Sequence, residues 1–171
     1  MVDVRRSWAP IALLALAVIG IGVSVYLTAV HYQSAPLVCS STGLIDCARV
    51  LSSAYSVVPG TQIPITIPGM GWFVIAGALA ALAAFRGQER RDLRLATLAW
   101  ASLGMLTVFY LVYTELVSLH TICIWCTSVH IIIFVMFLIA VTQLLQMQEQ
   151  DEEDLSDEEE EEATAVNTAR D

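Results

Sequence analysis

The sequence contains no lysine, and all eight of its basic residues are arginines. It also has no segment in which basic and aromatic side chains alternate. Proteins that bind nucleic acid present a basic surface, often with aromatic side chains on which bases stack. These absences argue against nucleic acid as a partner.

Negative charge is scarce outside one segment. Residues 149–171 hold twelve of the seventeen acidic residues and one arginine, whereas residues 1–148 hold five acids and seven arginines, a net charge of +2. The overall net charge of −9 therefore comes from a tail. The charges of this tail, residues 146–171, repel each other and few apolar side chains accompany them, so we expect it to be disordered.

Charge is also missing from four long apolar runs. Three of them carry no charged residue and one carries Glu115 alone; they cover residues 11–30, 63–85, 95–119 and 122–145. Each approaches the roughly 20 residues that a helix needs to cross a bilayer with its backbone hydrogen bonds closed internally. With 57% hydrophobic residues and a mean hydropathy of +0.68, the sequence predicts an all-α membrane protein, a bundle of four transmembrane helices within residues 11–145.

Arginines are unevenly divided between the two sides of such a bundle. One side has only Arg49, and the other has six: Arg5, Arg6, Arg86, Arg90, Arg91 and Arg94. The arginine-rich side faces the cytoplasm, which places residues 1–10 and the acidic tail there. The loop of residues 31–62 then lies outside, where we expect a short capping helix near residues 48–55. The first run resembles a signal peptide, but its apolar core is longer than that of a typical signal peptide. No clear small-x-small cleavage motif follows it, so we expect this run to stay uncleaved.

The four cysteines form two pairs on the predicted outer side. Cys39 and Cys47 lie in the outer loop, and Cys123 and Cys126 lie at the start of the fourth run. In a bacterium this is the oxidising side of the plasma (inner) membrane, where thiols pair. Side chains three residues apart on a helix share a face and can bridge. The first turn of a helix also favours a thiolate, which is the attacking form in disulfide exchange.

A pair in the outer loop and a pair at the edge of the bilayer predict a redox relay. Electrons would enter at Cys39 and Cys47, pass by exchange to Cys123 and Cys126, and leave to a quinone dissolved in the membrane. Two alternatives stay open. The cysteines could be structural disulfides of a small non-enzymatic membrane scaffold, or four thiolate ligands of zinc, which an oxidising compartment disfavours.

Four motifs follow one another within roughly residues 10–145: "CSSTGLIDC", "ARVLSSAYS", "PITIPGMGW" and "CIWC". In this order they resemble the vitamin K epoxide reductase family in its bacterial, quinone-linked branch. The other quinone-coupled thiol oxidases, of the DsbB type, carry their Cys-x-x-Cys before the second pair, which is the reverse order. The resemblance implies a four-helix thiol oxidoreductase with a quinone, menaquinone or ubiquinone, as cofactor.

The resemblance also implies roles for single residues. Cys126 would lie next to the quinone, Cys123 would exchange with Cys47 in the loop, and Cys39 would meet an outside thiol protein. Ser53 matches a serine near the redox centre of the family. Some members carry a fused thioredoxin-like domain; this chain ends in its acidic tail, so we expect a separate thioredoxin-fold (DsbA-like) partner.

Two departures from the vertebrate members concern vitamin K itself. His130 stands where those members carry a tyrosine, and "TQIPITIPGMG" contains no asparagine. These differences argue against reduction of vitamin K epoxide.

Three further side chains have both a functional and a structural interpretation. His130, one turn after Cys126, could donate a proton to a quinone oxygen or be packed between helices. Trp125 could stack on the quinone or anchor the chain at the membrane interface. Glu115 is functional or reaches the water at the membrane edge.

Overall fold

Four helices are long and apolar enough to cross a membrane in the described part of this computed structural model, residues 4–33, 35–39, 43–86 and 91–168. The α-helices are α1 (Val4–His31), α2 (Cys47–Leu51), α3 (Thr66–Arg86), α4 (Arg91–Tyr113) and α5 (Ile124–Thr168). A 3₁₀ turn (Ala54–Ser56) follows α2, and a π-helical turn (Thr114–Leu119) continues α4. The predicted all-α membrane bundle is therefore confirmed, with α1, α3, α4 and α5 as its spans.

The first two spans pack closely because small residues line their contact. Ala17 of α1 is 1% exposed, and a side chain at Gly77 of α3 would lie 3.3 Å from its Cβ. A Cβ at Gly20 would clash with the ring of Phe73, which is itself 1% exposed. Between apolar spans the gain comes from such close van der Waals packing, since the lipid is as apolar as the side chains.

We expect Gly20→Ala to lower the free energy of unfolding by about 1–3 kcal/mol, the usual cost of overpacking a core. The buried Phe73 ring cannot move aside without displacing its neighbours. Gly22→Ala is the matched control, because a Cβ at that position of the same helix meets nothing within 4 Å. Thermal unfolding in detergent compares the two variants. Equal stability would show that the α1–α3 contact is looser than described.

Two tryptophans join α3 to α4. The Trp72 indole N–H donates to the Trp100 carbonyl at 3.3 Å, and the Trp100 indole N–H donates to the Trp72 carbonyl at 3.1 Å. Their rings stack with an interplanar angle of 11°. Near the start of α4, the buried Arg94 side chain donates to the Gln143 carbonyl of α5 at 2.9 Å. These bonds satisfy polar groups that the spans would otherwise bury without partners.

The loop between α1 and α3 covers one end of the bundle. Asp46 caps α2 by accepting the backbone N–H of Arg49 at 3.0 Å. Val57 pairs with Pro64 in an isolated antiparallel bridge, and the turn between them contains Gly60 at φ +78°, a backbone angle that suits glycine. The predicted capping helix near residues 48–55 is present as α2 followed by the 3₁₀ turn. We call this end of the molecule the capped end.

The acidic tail differs from its expected disorder, because α5 continues without a break to Thr168. Glutamate and glutamine have high helix propensity, and a helix that already exists adds residues without a new nucleation cost. Residues 169–171 of the predicted tail and residues 1–3 of the predicted N-terminal segment lie outside the described residues. The predicted segment of residues 1–10 is helical from Val4.

Candidate functional site

A short parallel pairing joins the outer loop to the segment before α5. Ile45 and Ile122 form an isolated parallel bridge. The Ile122 N–H donates to the Leu44 carbonyl at 2.8 Å, and the Asp46 N–H donates to the Ile122 carbonyl at 3.2 Å. Cys47 and Cys123 follow this bridge on their respective segments, so the pairing brings the two cysteine motifs together at the capped end.

The four cysteines gather around one buried cluster. Cys47 and Cys123, exposed by 1% and 0%, pack with Val50, and Cys39 and Cys126 pack against that group. Cys39 and Cys47 form a disulfide, whereas Cys123 and Cys126 are free thiols. Cys39 is only half-buried. The predicted pairs are therefore neighbours, and the more exposed loop cysteine is Cys39.

Cys123 precedes α5 and caps it, which differs from the expectation that both cysteines of the motif lie within one helix. The backbone N–H of Cys126 donates to the Cys123 sulfur at 3.4 Å, the contact that an N-cap side chain makes with the first turn. The hydrogen bond from the Cys126 side chain lowers the pKa of the Cys123 thiol below its ordinary value, although burial opposes this shift. The Cys123 thiol therefore forms a thiolate more readily than an ordinary cysteine does.

Cys126 lines a large cavity among the four spans. The cavity has a volume of about 520 Å³, and most of its walls are apolar side chains of α1, α3, α4 and α5. Ile75 and Leu103 belong to its lining and are about half exposed, at 46% and 50%. The cavity therefore reaches the lipid-facing surface of the bundle, and its size is typical of sites for small organic ligands.

Two polar side chains in this cavity lack protein partners. Ser24 and His130 are 4% and 7% exposed, and neither side chain has a hydrogen-bond partner among the described residues. Buried polar groups are normally hydrogen-bonded. An acceptor or donor on a molecule in the cavity would satisfy them.

A second cavity of about 60 Å³ lies beneath the cap, with room for a few water molecules. Cys126 and His130 line both cavities and so lie between them. The other polar residues that line the small cavity are His31, Ser53, Tyr55, Ser56, Thr66, Thr114 and Glu115. Ser53, predicted to lie near the redox centre, is half-buried there, and its hydroxyl donates to the Val50 carbonyl at 2.7 Å.

Trp125 holds the outer loop, which differs from its predicted contact with a quinone. Among the described residues that line the two cavities Trp125 does not occur. Its indole N–H donates to the Val38 carbonyl at 2.9 Å, and its ring packs on Tyr26 with centroids 5.0 Å apart. The indole turns toward the loop because a carbonyl there satisfies its N–H.

Tyr26 was not singled out from the sequence. Its hydroxyl accepts the Val38 N–H at 2.9 Å and donates to the Pro36 carbonyl at 3.1 Å. Together with Trp125 it fixes the chain that leads to Cys39. No local pattern distinguishes this tyrosine from an ordinary interfacial one, so only the fold reveals its role.

Glu115 is buried against the Cys-x-x-Cys motif. It is 6% exposed, and its carboxyl group interacts with the backbone of Cys123 and the side chain of Cys126. Its own carbonyl accepts the N–H of Thr121 at 3.0 Å at the end of the π-helical turn. The burial excludes the interpretation in which this side chain reaches the water at the membrane edge.

The zinc interpretation finds no support in the described residues. No group of three or more potential histidine, cysteine, aspartate or glutamate ligands is assembled among them for a metal. The Cys39–Cys47 disulfide also uses two of the four thiolates that such a site would need.

A family model described as "Vitamin K epoxide reductase family" matches residues 11–141 of the chain. This range contains α1 from Ile11, α3, α4, α5 up to Val141, the cap, the four cysteines and both cavities. No curated protein matches the chain.

Proposed function

Because the chain belongs to the vitamin K epoxide reductase family, we propose that this membrane oxidoreductase oxidises the thiols of a separate thioredoxin-fold (DsbA-like) protein and passes the electrons to a membrane quinone. The observation that carries the proposal is the position of Cys126. This thiol packs against the buried cysteine cluster on one side and lines the lipid-facing cavity on the other. A protein that carries two electrons from a thiol in water to an acceptor in lipid needs a residue that contacts both sites.

The first part of the reaction is thiol–disulfide exchange at the cap. A thiolate of the partner attacks the half-exposed Cys39, and its second thiolate releases an oxidised partner and reduced Cys39 and Cys47. Cys47 then attacks Cys123 of an oxidised Cys123–Cys126 pair, and Cys39 resolves the mixed disulfide. This leaves the loop oxidised and Cys123 and Cys126 reduced, which is the combination found in the structure.

The second part transfers two electrons out of the protein. Cys123 and Cys126 form their disulfide, two S–H bonds break, and the quinone takes up two electrons and two protons to become a hydroquinone. The net reaction is a dithiol and a quinone giving a disulfide and a hydroquinone. Each turnover therefore needs both cysteines of the motif and a proton path to a buried site.

The large cavity fits a quinone by size and by chemistry. Its apolar walls suit a ring and an isoprenoid tail, and its lipid-facing side gives the tail a route into the bilayer. Ser24 and His130 offer buried polar groups that have no hydrogen-bond partner among the described residues, and such groups suit the ring oxygens. His130 would donate a hydrogen bond or a proton there, and Ser53 would order the small polar cavity next to Cys126.

We further propose that the protein lies in the bacterial plasma membrane with both termini in the cytoplasm and the capped end outside. The arginine distribution supports this orientation. It exposes Cys39 to an oxidising compartment that contains thioredoxin-fold thiol proteins.

The alternative of a non-enzymatic scaffold is disfavoured by the cysteine states. A scaffold held by two structural disulfides would keep Cys123 and Cys126 paired, whereas both are free thiols and Cys126 lines a cavity. Fixed disulfides in the native protein would restore this alternative.

The test is an assay with purified full-length protein in lipid nanodiscs. We expect it to reduce ubiquinone or menaquinone when a reduced thioredoxin-fold thiol protein is supplied, at one hydroquinone per partner disulfide. Quinone absorbance and partner thiol content report the two halves of the reaction. Omitting either substrate should stop both signals. No quinone reduction with either quinone would contradict the proposed function.

A further inference from the structure

Glu115 has no role in the relay described so far, although it touches both cysteines of the Cys-x-x-Cys motif. Its carboxyl group interacts with the Cys126 side chain and the Cys123 backbone, and Glu115 and Cys126 line the same small cavity. It extends from the π-helical turn that ends α4, and such turns often occur at functional sites. A buried acid within a span is costly, which makes a purely incidental position improbable.

We propose that Glu115 is the catalytic base that takes the proton of the Cys126 thiol when this thiol reduces the quinone. This inference rests on the proposed function, because the quinone is the oxidant in the step. The interaction between the Glu115 carboxyl group and the Cys126 thiol does not depend on that function and can be tested without a quinone. Only a thiolate is strongly nucleophilic, so the Cys126 thiol must lose its proton before it reacts. Because Cys126 lies between two cavities below the cap, a neighbouring side chain is needed to take that proton.

The proposed step is balanced. The Cys126 S–H bond breaks, and its proton moves to the Glu115 carboxylate while the sulfur contributes to the new Cys123–Cys126 bond. The two electrons released by disulfide formation reduce the quinone. The proton held by Glu115 and the proton lost by Cys123 match the two that the hydroquinone gains. Glu115 is then ionised again for the next turnover.

The small cavity provides the exchange path for this proton. Glu115 lines it together with Cys126 and His130, which connect it to the large cavity. His31 of α1 and Tyr55 of the cap belong to the same lining. Among the described residues these are the titratable side chains that line the cavity with Glu115, and Cys123 also interacts with its carboxyl group. A pH profile must therefore be compared between variants that share all of them.

The alternative to a base is a positioning role through the backbone of Cys123. The two roles differ in what Glu115→Gln does to the reactivity of Cys126. The glutamine side chain keeps an oxygen that accepts hydrogen bonds, but it cannot take a proton. Glutamine would therefore substitute for Glu115 if the role of Glu115 were only to position Cys123. Removing a nearby negative charge would, by itself, make a thiolate easier to form and would speed its reactions.

The decisive measurement uses no quinone. In full-length protein with Cys39, Cys47 and Cys123 changed to serine, Cys126 is the only thiol, and its alkylation by N-ethylmaleimide is followed by mass spectrometry from pH 6 to pH 9. With Glu115 present we expect a rate that rises until its carboxyl group is ionised and then changes little with pH. With Glu115→Gln we expect a rate about 100-fold lower at pH 7, a loss within the usual range for general-base catalysis. This rate should rise about tenfold per pH unit, because the thiolate fraction does.

Two further variants complete this test. Ser118→Ala changes an exposed side chain of the same π-helical turn and should leave the alkylation profile as it was. Glu115→Asp keeps a carboxyl group and should retain part of the pH-independent rate, which separates lost chemistry from lost folding. A Glu115→Gln rate equal to or above that of its parent would overturn the proposal.

Turnover of the four-cysteine protein gives an independent readout. We expect Glu115→Gln to lower quinone reduction about 100-fold at pH 7, with recovery toward high pH, while the loop disulfide still exchanges with the partner. If the unchanged protein does not reduce quinone, the proposed function fails, and the alkylation profile still decides the role of Glu115. A normal turnover rate and pH profile in the variant would refute the base.

Discussion

Cys126→Ala should abolish quinone reduction, with a loss of at least about 10³-fold, because it removes the only sulfur of the four cysteines that lines the lipid-facing cavity. The loop pair is expected to behave differently. Cys39 and Cys47 form their disulfide within the cap, so an outside oxidant such as oxidised glutathione should still oxidise them.

The measurement is quinone absorbance in nanodiscs, together with thiol counting before and after the oxidant is added. Ser128→Ala is the matched control, since its hydroxyl donates to the Ile124 carbonyl of its own helix and it belongs to neither cavity lining. This control should reduce quinone at the unchanged rate. Normal turnover in Cys126→Ala would mean that electrons leave the protein at another residue.

Cys39→Ala combined with Cys126→Ala should trap a disulfide between Cys47 and Cys123. Exchange between the two pairs passes through a mixed disulfide, and this variant lacks both cysteines that could resolve it. The structure supports this pair because Cys47 and Cys123 share one buried cluster. The parallel bridge between Ile45 and Ile122 also aligns the segments that carry them. We expect most of the protein to carry this bond after mild oxidation.

The trapped bond joins two parts of the chain that a protease can separate. With a cleavage site engineered between residues 86 and 91, the two fragments should stay together on gels without reductant and separate when reductant is added. The complementary variant, Cys47→Ala combined with Cys126→Ala, leaves Cys39 and Cys123 and should remain mainly in two fragments. The reverse outcome, a joined complementary variant and a separated first one, would contradict the proposed order of electron transfer.

The membrane spans could be predicted from the sequence because their physical cause is local. A run of about 20 apolar residues must close its own backbone hydrogen bonds in lipid, whichever helices surround it. The capping helix follows from a similarly local signal. The tail shows the limit of such reasoning, since its charge predicts disorder while α5 continues to Thr168. Its helix propensity and its attachment to an existing helix favour the other state.

The sequence by itself determined the candidates for the proposed chemistry: the four cysteines, their order, and the place of one pair at the edge of a span. Tertiary structure decided what each residue faces. It buried Glu115 against Cys126 instead of leaving it at the water, turned Trp125 toward the loop, and placed Cys123 before α5 as its cap. These outcomes depend on contacts between segments far apart in the chain. Short-range periodicity cannot encode them, because the direction of a side chain among four helices depends on how the helices pack.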